Sequence, residues 1–136
     1  MGTPSPWPHF SLEELSCRHC GVMKMNADFM EKIVKLRQFY AKPLVVTSAY
    51  RCPIHDAAVS GTHRSGAGPH TSGHAIDVNV YGGAAIEYLD KALKLGFFSG
   101  FGFNQKGDVA QRFVHLDDLT QSEVGPGAAR PYMWTY

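Results

Sequence analysis

The stretch that most constrains this chain is HTSGHAIDVNV, residues 70–80. Its second half alternates between two sets of side chains: Ile76, Val78 and Val80 point one way, while Ala75, Asp77, Asn79 and Tyr81 point the other. This period of two is typical of a strand with one buried face. The pattern therefore predicts that Asp77 is held on the polar face of a rigid element.

A histidine precedes this strand at a distance that a turn can close. His70 lies seven residues before Asp77, and Gly73 between them lets the loop fold back. An imidazole and a carboxylate that converge in this way suit zinc. The plainer alternative is that His70 caps a loop and that Asp77 is solvated on a strand edge.

A second histidine in the stretch suggests a helical zinc motif, which the neighbouring residues disfavour. His70 and His74 are four residues apart, but Thr71 stands where that motif needs Glu, and Gly73 weakens any helix here. By alternation His74 falls on the face opposite Asp77. We therefore expect His74 to be packed or hydrogen-bonded and not to be a ligand.

Length and charge limit the classes of function. The 136 residues are enough for one domain with a modest core, and the 44% apolar content is that of an ordinary globular protein. Lys and Arg number 13 against 12 Asp and Glu, so no excess charge favours nucleic acid or a membrane surface. No run of about 18 apolar residues predicts a membrane span. The first ten residues lack the pattern of a secretory signal.

The first half of the chain predicts an arm, two helices and a strand. Residues 1–9 carry three Pro and are expected to form an extended arm, with a single domain over residues 10–136. Ser11 caps a short helix and Asn26 caps a longer one. In the longer helix Phe29, Ile33, Leu36 and Tyr40 form an apolar stripe that is predicted to be core, and Met30 and Val34 lie beside it. LVVTSAY, residues 44–50, predicts a central strand with Arg51 at its end.

The second half predicts further helices and strands. Pro53 begins a short helix, and residues 61–69 form a Gly-rich loop that delivers His70. Gly82 and Gly83 break the chain before a helix over residues 84–95, whose apolar face is Ile86, Leu89 and Leu93. A Gly-rich aromatic strand or bend follows, and RFVHLD is the last predicted strand. This alternation of elements predicts a small α+β domain.

RFVHLD supplies a further ligand candidate. Phe113, His115 and Asp117 share one face of this predicted strand, while Val114 and Leu116 take the core face. If the two polar strands are neighbours, His70, Asp77 and His115 form a three-ligand site with a fourth position left to water. Such an open position indicates a catalytic zinc, which activates water for hydrolysis.

His70, Gly73, Ala75 and Asp77 together resemble the HxxGxAxD signature of the M15 zinc peptidases, the group of D-Ala-D-Ala carboxypeptidases and hedgehog-like folds. Residues 45–53 and 129–136 also resemble segments of that family, so the resemblance covers most of the chain. It implies that His70, Asp77 and His115 are the zinc ligands. It also implies a mostly antiparallel sheet flanked by helices, with the zinc on its open face.

The resemblance implies two further catalytic roles. Arg51 corresponds to a family Arg that would stabilise the charge developing on the substrate oxygen, although a surface Arg paired with a carboxylate is the simpler alternative. Many members carry the general base where this chain has Arg112. Asp117 is our first choice for the base, with Asp108 and Asp118 in reserve. Alternatively, Asp117 only orients a ligand.

The implied substrate is the peptide part of bacterial peptidoglycan. Either an internal bond is cut, as by a phage endolysin, or a terminal D-Ala is removed, with Arg64 or Arg112 reading its carboxylate. Aromatic side chains would border the groove: Tyr50, Tyr81, Phe103, Tyr132 or Trp134. We expect a monomer that is made in the cytoplasm and reaches the wall or periplasm by phage-type lysis or through a signal outside this sequence. A non-catalytic zinc-containing binding module is the rival.

The cysteines predict a second metal site. Cys17 and Cys20 form CxxC, and Cys52 and His55 form CxxH, which together have the spacing of a structural zinc site. One disulfide with a leftover thiol, or three buried free thiols, are the alternatives. His9, His19 and His63 receive no role, although His63 lies where it could line the substrate groove.

Overall fold

The structure is a computed structural model that describes residues 2–59 and 68–136. Most of the Gly-rich loop, including His63 and Arg64, lies outside these residues. The helices are α1 (Leu12–Leu15), α2 (Ala27–Tyr40), α3 (Pro53–Val59), α4 (Gly82–Leu95) and α5 (Gln121–Val124). The strands are β1 (Val46–Ser48), β2 (Ala75–Val78), β3 (Gly100–Asn104), β4 (Phe113–Asp117) and β5 (Tyr132–Thr135). Within the described residues, no helix is long and apolar enough to cross a membrane.

One sheet contains all five strands in the order β1-β2-β4-β3-β5. Three of its four pairings are antiparallel, and only β3 and β5 run parallel. The α+β class predicted from the sequence is therefore confirmed, with a mixed sheet. In the β2–β4 register, Asp77 lies directly opposite His115. This pairing brings two residues that are distant in sequence to adjacent positions on the sheet.

Helix α2 supplies the largest block of the core. Asn26 caps it by accepting a hydrogen bond from the Phe29 backbone N–H at 2.9 Å. The predicted stripe is confirmed, and beside it Met30 is buried while Val34 is only partly buried. The capping box at Ser11 and Glu14 is also present at the start of α1. Local signals in the sequence thus specify both helix starts.

Helix α4 presents a different face from the one predicted. It begins at Gly82 and not at residue 84, and the side chains of Ile86 and Leu93 are 73% and 52% exposed. Tyr88 and Ala92 are buried instead, and the Tyr88 ring packs edge-on against Tyr40 at 5.5 Å between centroids. The large Tyr88 ring fills the space next to α2. Of the predicted apolar face, Leu89 is partly buried against the core, while Ile86 and Leu93 turn outward.

Strand β2 is buried on both faces. All four of its residues are buried, with Asp77 only 3% exposed, and β2 is not an edge strand, since it lies between β1 and β4. The alternative of a solvated Asp77 on a strand edge is therefore wrong. The prediction that RFVHLD is the last strand is also wrong, since β5 follows it and pairs with β3.

The segment before α1 lies against that helix. The Leu12 backbone N–H donates to the Thr3 carbonyl at 2.7 Å, and the Thr3 hydroxyl donates to the Glu13 carboxylate at 2.6 Å. Trp7 packs against the core. Residues 2–9 are thereby tied to the rest of the domain.

Candidate metal centre

Three buried polar side chains meet at the middle of the sheet. The His70 Nε2 atom lies 3.2 Å from Asp77 Oδ1, and His115 Nδ1 lies 3.0 Å from the same oxygen. The two ring nitrogens are 3.3 Å apart. All three side chains are buried. The residues that the sequence predicts as ligands thus form a triangle with sides of nearly equal length.

His70 is positioned by a turn that the sequence specifies. It lies in a 3-10 helix over Pro69–Ser72 that ends at Gly73, whose φ is +77°. A Cβ at Gly73 would collide with the backbone carbonyl of Lys24, so only glycine fits this position. The Nδ1–H of His70 donates to the Ala49 carbonyl at 2.7 Å. This hydrogen bond occupies Nδ1, so Nε2 is the ring atom with which His70 would bind a metal.

His115 is positioned by a carboxylate on its own strand. Its Nε2–H donates to Asp117 Oδ2 at 2.7 Å, which leaves Nδ1 for the triangle. Asp117 is fully buried and also accepts two hydrogen bonds from Arg130, from Nε and Nη2, each at 2.8 Å. The neighbouring strand contributes Gly100 opposite Asp117, where any Cβ would collide with the carboxylate. The Gly-rich strand therefore makes room for this ion pair.

Charges inside the site reinforce one another. Burial disfavours ionisation of Asp77, but the charge of His70 and the hydrogen bond from His115 outweigh it and hold the pKa of Asp77 well below its usual range. Burial also opposes protonation of His115, yet Asp117 and Asp77 raise the pKa of His115 to about 9. His115 and Arg130 likewise overcome burial and lower the pKa of Asp117 to about 2. Without a metal, the site is held together by a protonated His115 between two carboxylates.

The donor set fits a divalent cation, and zinc in particular. Two imidazole nitrogens and one carboxylate oxygen are a ligand set used by catalytic zinc sites, in which ligands about 2.0–2.1 Å from the ion lie about 3.4 Å from one another. Both histidines donate their other ring N–H, one to a backbone carbonyl and one to a carboxylate. That arrangement is the usual support for metal-binding histidines. His70, Asp77 and His115 can therefore hold a metal ion with little movement.

Arg51 lies beside the triangle and contacts two carboxylates. Its Nη2 donates to Asp77 Oδ2 at 3.4 Å, and its Nη1 donates to Asp56 Oδ1 at 3.3 Å. The Ser48 hydroxyl accepts from its Nε at 3.0 Å. Asp56 is buried and also accepts from the Gly68 backbone N–H at 3.1 Å. Arg51 and Asp56 thus tie the end of β1 to the segment that carries His70.

A cavity of about 880 Å³ opens onto the triangle. Arg51, Asp77 and His115 line it together with aromatic side chains on β4, on β5 and directly after β5: Phe113, Tyr132, Trp134 and Tyr136. The Trp134 ring lies 5.1 Å from the His115 ring, and the Arg130 guanidinium lies 4.9 Å from the Trp134 ring centroid. A Cβ at Gly102 would come within 2.7 Å of the Trp134 ring. The cavity therefore combines a polar floor with an aromatic wall.

The structure separates the other sequence candidates from this cavity. Asp118 accepts from Lys32 at 2.6 Å and lies 2.7 Å from His74 Nδ1, so it faces neither the triangle nor its cavity. This contact agrees with the prediction that His74 is hydrogen-bonded. Asp108 is exposed at the start of a 3-10 turn. Arg112 lines a second, smaller cavity beside α4.

Of the aromatic residues predicted to border the substrate groove, some line the large cavity and others do not. Tyr132 and Trp134 line the large cavity, whereas Tyr50 is buried in the core and Phe103 lines the smaller cavity. Tyr81 is exposed before α4. The sequence reasoning missed Arg130 and Asp56, which have no local pattern that marks them. It also missed β5, although Tyr132, Trp134 and Tyr136 recur at every second residue and so give a strand signal.

Comparison with known proteins gives one family match. A sequence profile described as Peptidase M15 matches residues 8–117, which is most of the chain and includes all three corners of the triangle. Neither the curated proteins nor the solved structures give a significant match.

Proposed function

Because the chain belongs to the Peptidase M15 family, we propose that it is a zinc-dependent peptidase that hydrolyses peptide bonds of bacterial peptidoglycan. The observation that carries this proposal is the triangle of His70, Asp77 and His115, of which Asp77 and His115 line a cavity. The cavity is within the usual size range of ligand sites, and its aromatic wall suits a peptide substrate.

The residues around the triangle have distinct proposed tasks. His70, Asp77 and His115 would hold the zinc ion, which when bound acidifies water and polarises the scissile carbonyl. Arg51 would face the oxygen on which negative charge develops, because it lines the cavity next to Asp77. Three of its five N–H donors serve Ser48, Asp56 and Asp77 among the described residues. Asp56 would keep the guanidinium in place for that task.

Asp117 has two competing proposed roles, proton acceptor and positioning residue for His115. Its contacts favour the second role, since its oxygens accept from His115 and twice from Arg130, and it does not line the cavity. A carboxylate engaged in this way fixes the tautomer and orientation of a ligand histidine. Its role as the base remains a prediction, which substitution with Asn tests.

The charges around the cavity favour cleavage of an internal bond over removal of a terminal residue. Reading a free carboxylate needs a cation that no protein carboxylate already occupies. Among the described residues of the cavity, Arg51 pairs with Asp56 and Asp77, and Arg130 pairs with Asp117. We therefore propose an endopeptidase of the endolysin type, with D,D- or L,D-carboxypeptidase activity as the alternative.

Mass spectrometry of digested peptidoglycan tests both whether the protein is a peptidase and which bond it cuts. Purified sacculi incubated with the zinc-loaded protein should yield fragments cut inside the stem peptide or the cross-link, and a chelator should prevent their appearance. Loss of terminal D-Ala alone would establish a carboxypeptidase. Unchanged sacculi in the presence of zinc would contradict the peptidase proposal.

One observation supports a second function, that of a non-catalytic wall-binding module. Asp77 is the only carboxylate among the described residues that line the cavity, so no second acid there is available as a base. Co-sedimentation with sacculi, measured alongside the release of amino groups, separates the two functions. Binding without release favours the module, whereas chelator-sensitive release establishes the enzyme.

A further inference from the structure

A second group of metal-binding side chains lies at the junction of the chain's first loop with the segment after β1. The Sγ atoms of Cys17, Cys20 and Cys52 lie within 4.8 Å of one another, and all three cysteines are free. Three thiolates bound to one zinc ion at about 2.3 Å are about 3.8 Å apart. The three sulfur atoms are therefore near enough to one another for a single ion to bind them all.

The backbone around the cluster has the form of a metal knuckle. The chain turns at Gly21, whose φ is +75°, and the Gly21 N–H donates to the Cys17 carbonyl at 2.9 Å. Cys17 Sγ accepts backbone N–H groups of His19 at 3.4 Å and Cys52 at 3.2 Å. Hydrogen bonds of this kind favour the thiolate, which is the form that binds metals.

An imidazole stands next to the thiols. The His19 Nδ1 atom lies 3.4 Å from Cys52 Sγ. The sequence spacing points to His55 as the fourth member, but its ring stacks parallel to the His19 ring, with centroids 6.0 Å apart, and that ring makes no hydrogen bond to a thiol within the described residues. Among the described residues, His19 is therefore the imidazole that contacts the cluster.

We propose that Cys17, Cys20, Cys52 and His19 bind a second, structural zinc ion. Three thiolates and one imidazole complete the four-coordinate set of a closed structural site, unlike the three-residue triangle that leaves a position open. Nothing in this assignment depends on peptidase activity, because the two groups share no residue.

The cluster is connected to the candidate active site through the backbone. Cys52 directly follows Arg51, whose side chain contacts Asp77, and the Arg51 N–H donates to the His70 carbonyl at 3.4 Å. The Tyr50 N–H donates to the Leu15 carbonyl at 3.3 Å in the same segment. A metal ion that joins the first loop to Cys52 would therefore fix the segment that carries both Arg51 and the Ala49 carbonyl.

Zinc analysis of the purified protein tests the assignment. After loosely bound metal is removed, the wild type should hold two zinc ions per chain. Cys20→Ser should lose one ion and unfold at a lower temperature, and His115→Ala should lose the other. A wild type that holds a single ion, lost with His115→Ala and kept in Cys20→Ser, would overturn the proposal. A disulfide, found as a single free thiol after denaturation under non-reducing conditions, would also overturn it.

Cobalt substitution gives a test that requires no variant to fold. Cobalt bound to three thiolates produces intense sulfur-to-metal charge-transfer absorption in the near ultraviolet, which nitrogen and oxygen ligands do not produce. The wild type should show this band, and its absence would contradict the thiolate site. His19→Ala should weaken cobalt binding at this band at least tenfold, with His55→Ala as the matched control. The reverse ranking would overturn the assignment of His19.

Discussion

His115 Nε2 lies 2.7 Å from Asp117 Oδ2, on a carboxylate that Arg130 clamps from the other side through two hydrogen bonds. The chain of contacts runs from Arg130 through Asp117 to His115 and ends at the triangle. His115 and Asp117 are buried and the Arg130 side chain is only 6% exposed, so little solvent screens the charges. The orientation of the third ligand is therefore set by a residue that does not itself face the cavity.

Asp117→Asn should weaken zinc binding because it removes the charge that orients His115. We expect a loss of about 10–100-fold in zinc affinity, measured by competition with a chromophoric chelator. If Asp117 is a positioning residue, saturating zinc should restore most of the turnover. Asp118→Asn is the matched control, since Asp118 pairs with Lys32 and His74 and should leave zinc affinity unchanged. Full zinc occupancy with turnover lowered at least a hundredfold would instead identify Asp117 as the base.

Gly100→Ala should disturb the contact between Asp117 and His115 from the neighbouring strand β3. The added methyl group would collide with the Asp117 carboxylate, and overpacking of this kind costs about 1–3 kcal/mol of folding free energy. Urea unfolding of the metal-free protein measures that loss, and zinc affinity should fall with it. Gly83→Ala, where a Cβ meets nothing within 4 Å, is the control: it should leave zinc affinity unchanged and should not lower stability, since alanine favours the helix that contains this position. Equal stability of the two variants would contradict the close packing of Gly100 on Asp117.

Arg51→Ala should lower turnover while zinc stays bound, because Arg51 is a proposed donor to the substrate oxygen and not a ligand. Loss of one such donor costs about 10²–10³ in kcat. Arg51→Lys keeps a charge beside the buried Asp56 and serves as the variant that is better able to fold. Arg112→Ala, in the smaller cavity, should retain activity. Unchanged kcat in Arg51→Ala would remove Arg51 from the proposed machinery.

The stability of the metal-free protein should depend on pH through two groups. The raised pKa of His115 stabilises the folded state fully below its unfolded value of about 6.5, and this contribution is lost as the pH rises through about 9. The lowered pKa of Asp117 stabilises it above an unfolded value of about 4, and this contribution is lost as the pH falls through about 2. The contribution of these two groups should therefore be greatest between about pH 4 and pH 6.5, measured by urea unfolding of a Cys17→Ser variant, which removes a thiol whose pKa is also lowered.

Zinc affinity should depend on pH in the opposite direction to the stability that His115 contributes, because the metal must displace the proton of His115. Zinc affinity is expected to rise with pH up to about 9. Titration calorimetry in buffers with different ionisation enthalpies should detect one proton released per zinc ion near neutral pH, in a Cys20→Ser background that isolates this site. Affinity that does not change with pH would contradict a protonated His115 in the metal-free protein.

The sequence predicts the parts of the site that follow local rules. Period-two alternation identifies β2 and β4, and the spacing of His70, Gly73 and Asp77 reflects a turn that only glycine can make. These signals are local because backbone geometry alone determines them. The meeting of Asp77 with His115 is different, since it depends on strand pairing, which the sequence predicts only through family resemblance.

Other features depend on tertiary packing and leave no such signal. Both possible faces of α4 follow helical spacing, and the contact of Tyr88 with Tyr40 decides which one is buried. The pairing of Arg130 with Asp117 joins residues from separate segments, so neither residue indicates the other. Gly100 reads as an ordinary strand break until Asp117 is seen against it. Single-sequence patterns do not encode these contacts.

The most direct test of the central claim is the release of amino groups from purified peptidoglycan by chelator-treated protein, before and after zinc is returned. We predict no release without metal, release when zinc is restored, and none at any zinc concentration from His115→Ala. Release that persists in the metal-free protein or in His115→Ala would contradict a peptidase site built on His70, Asp77 and His115.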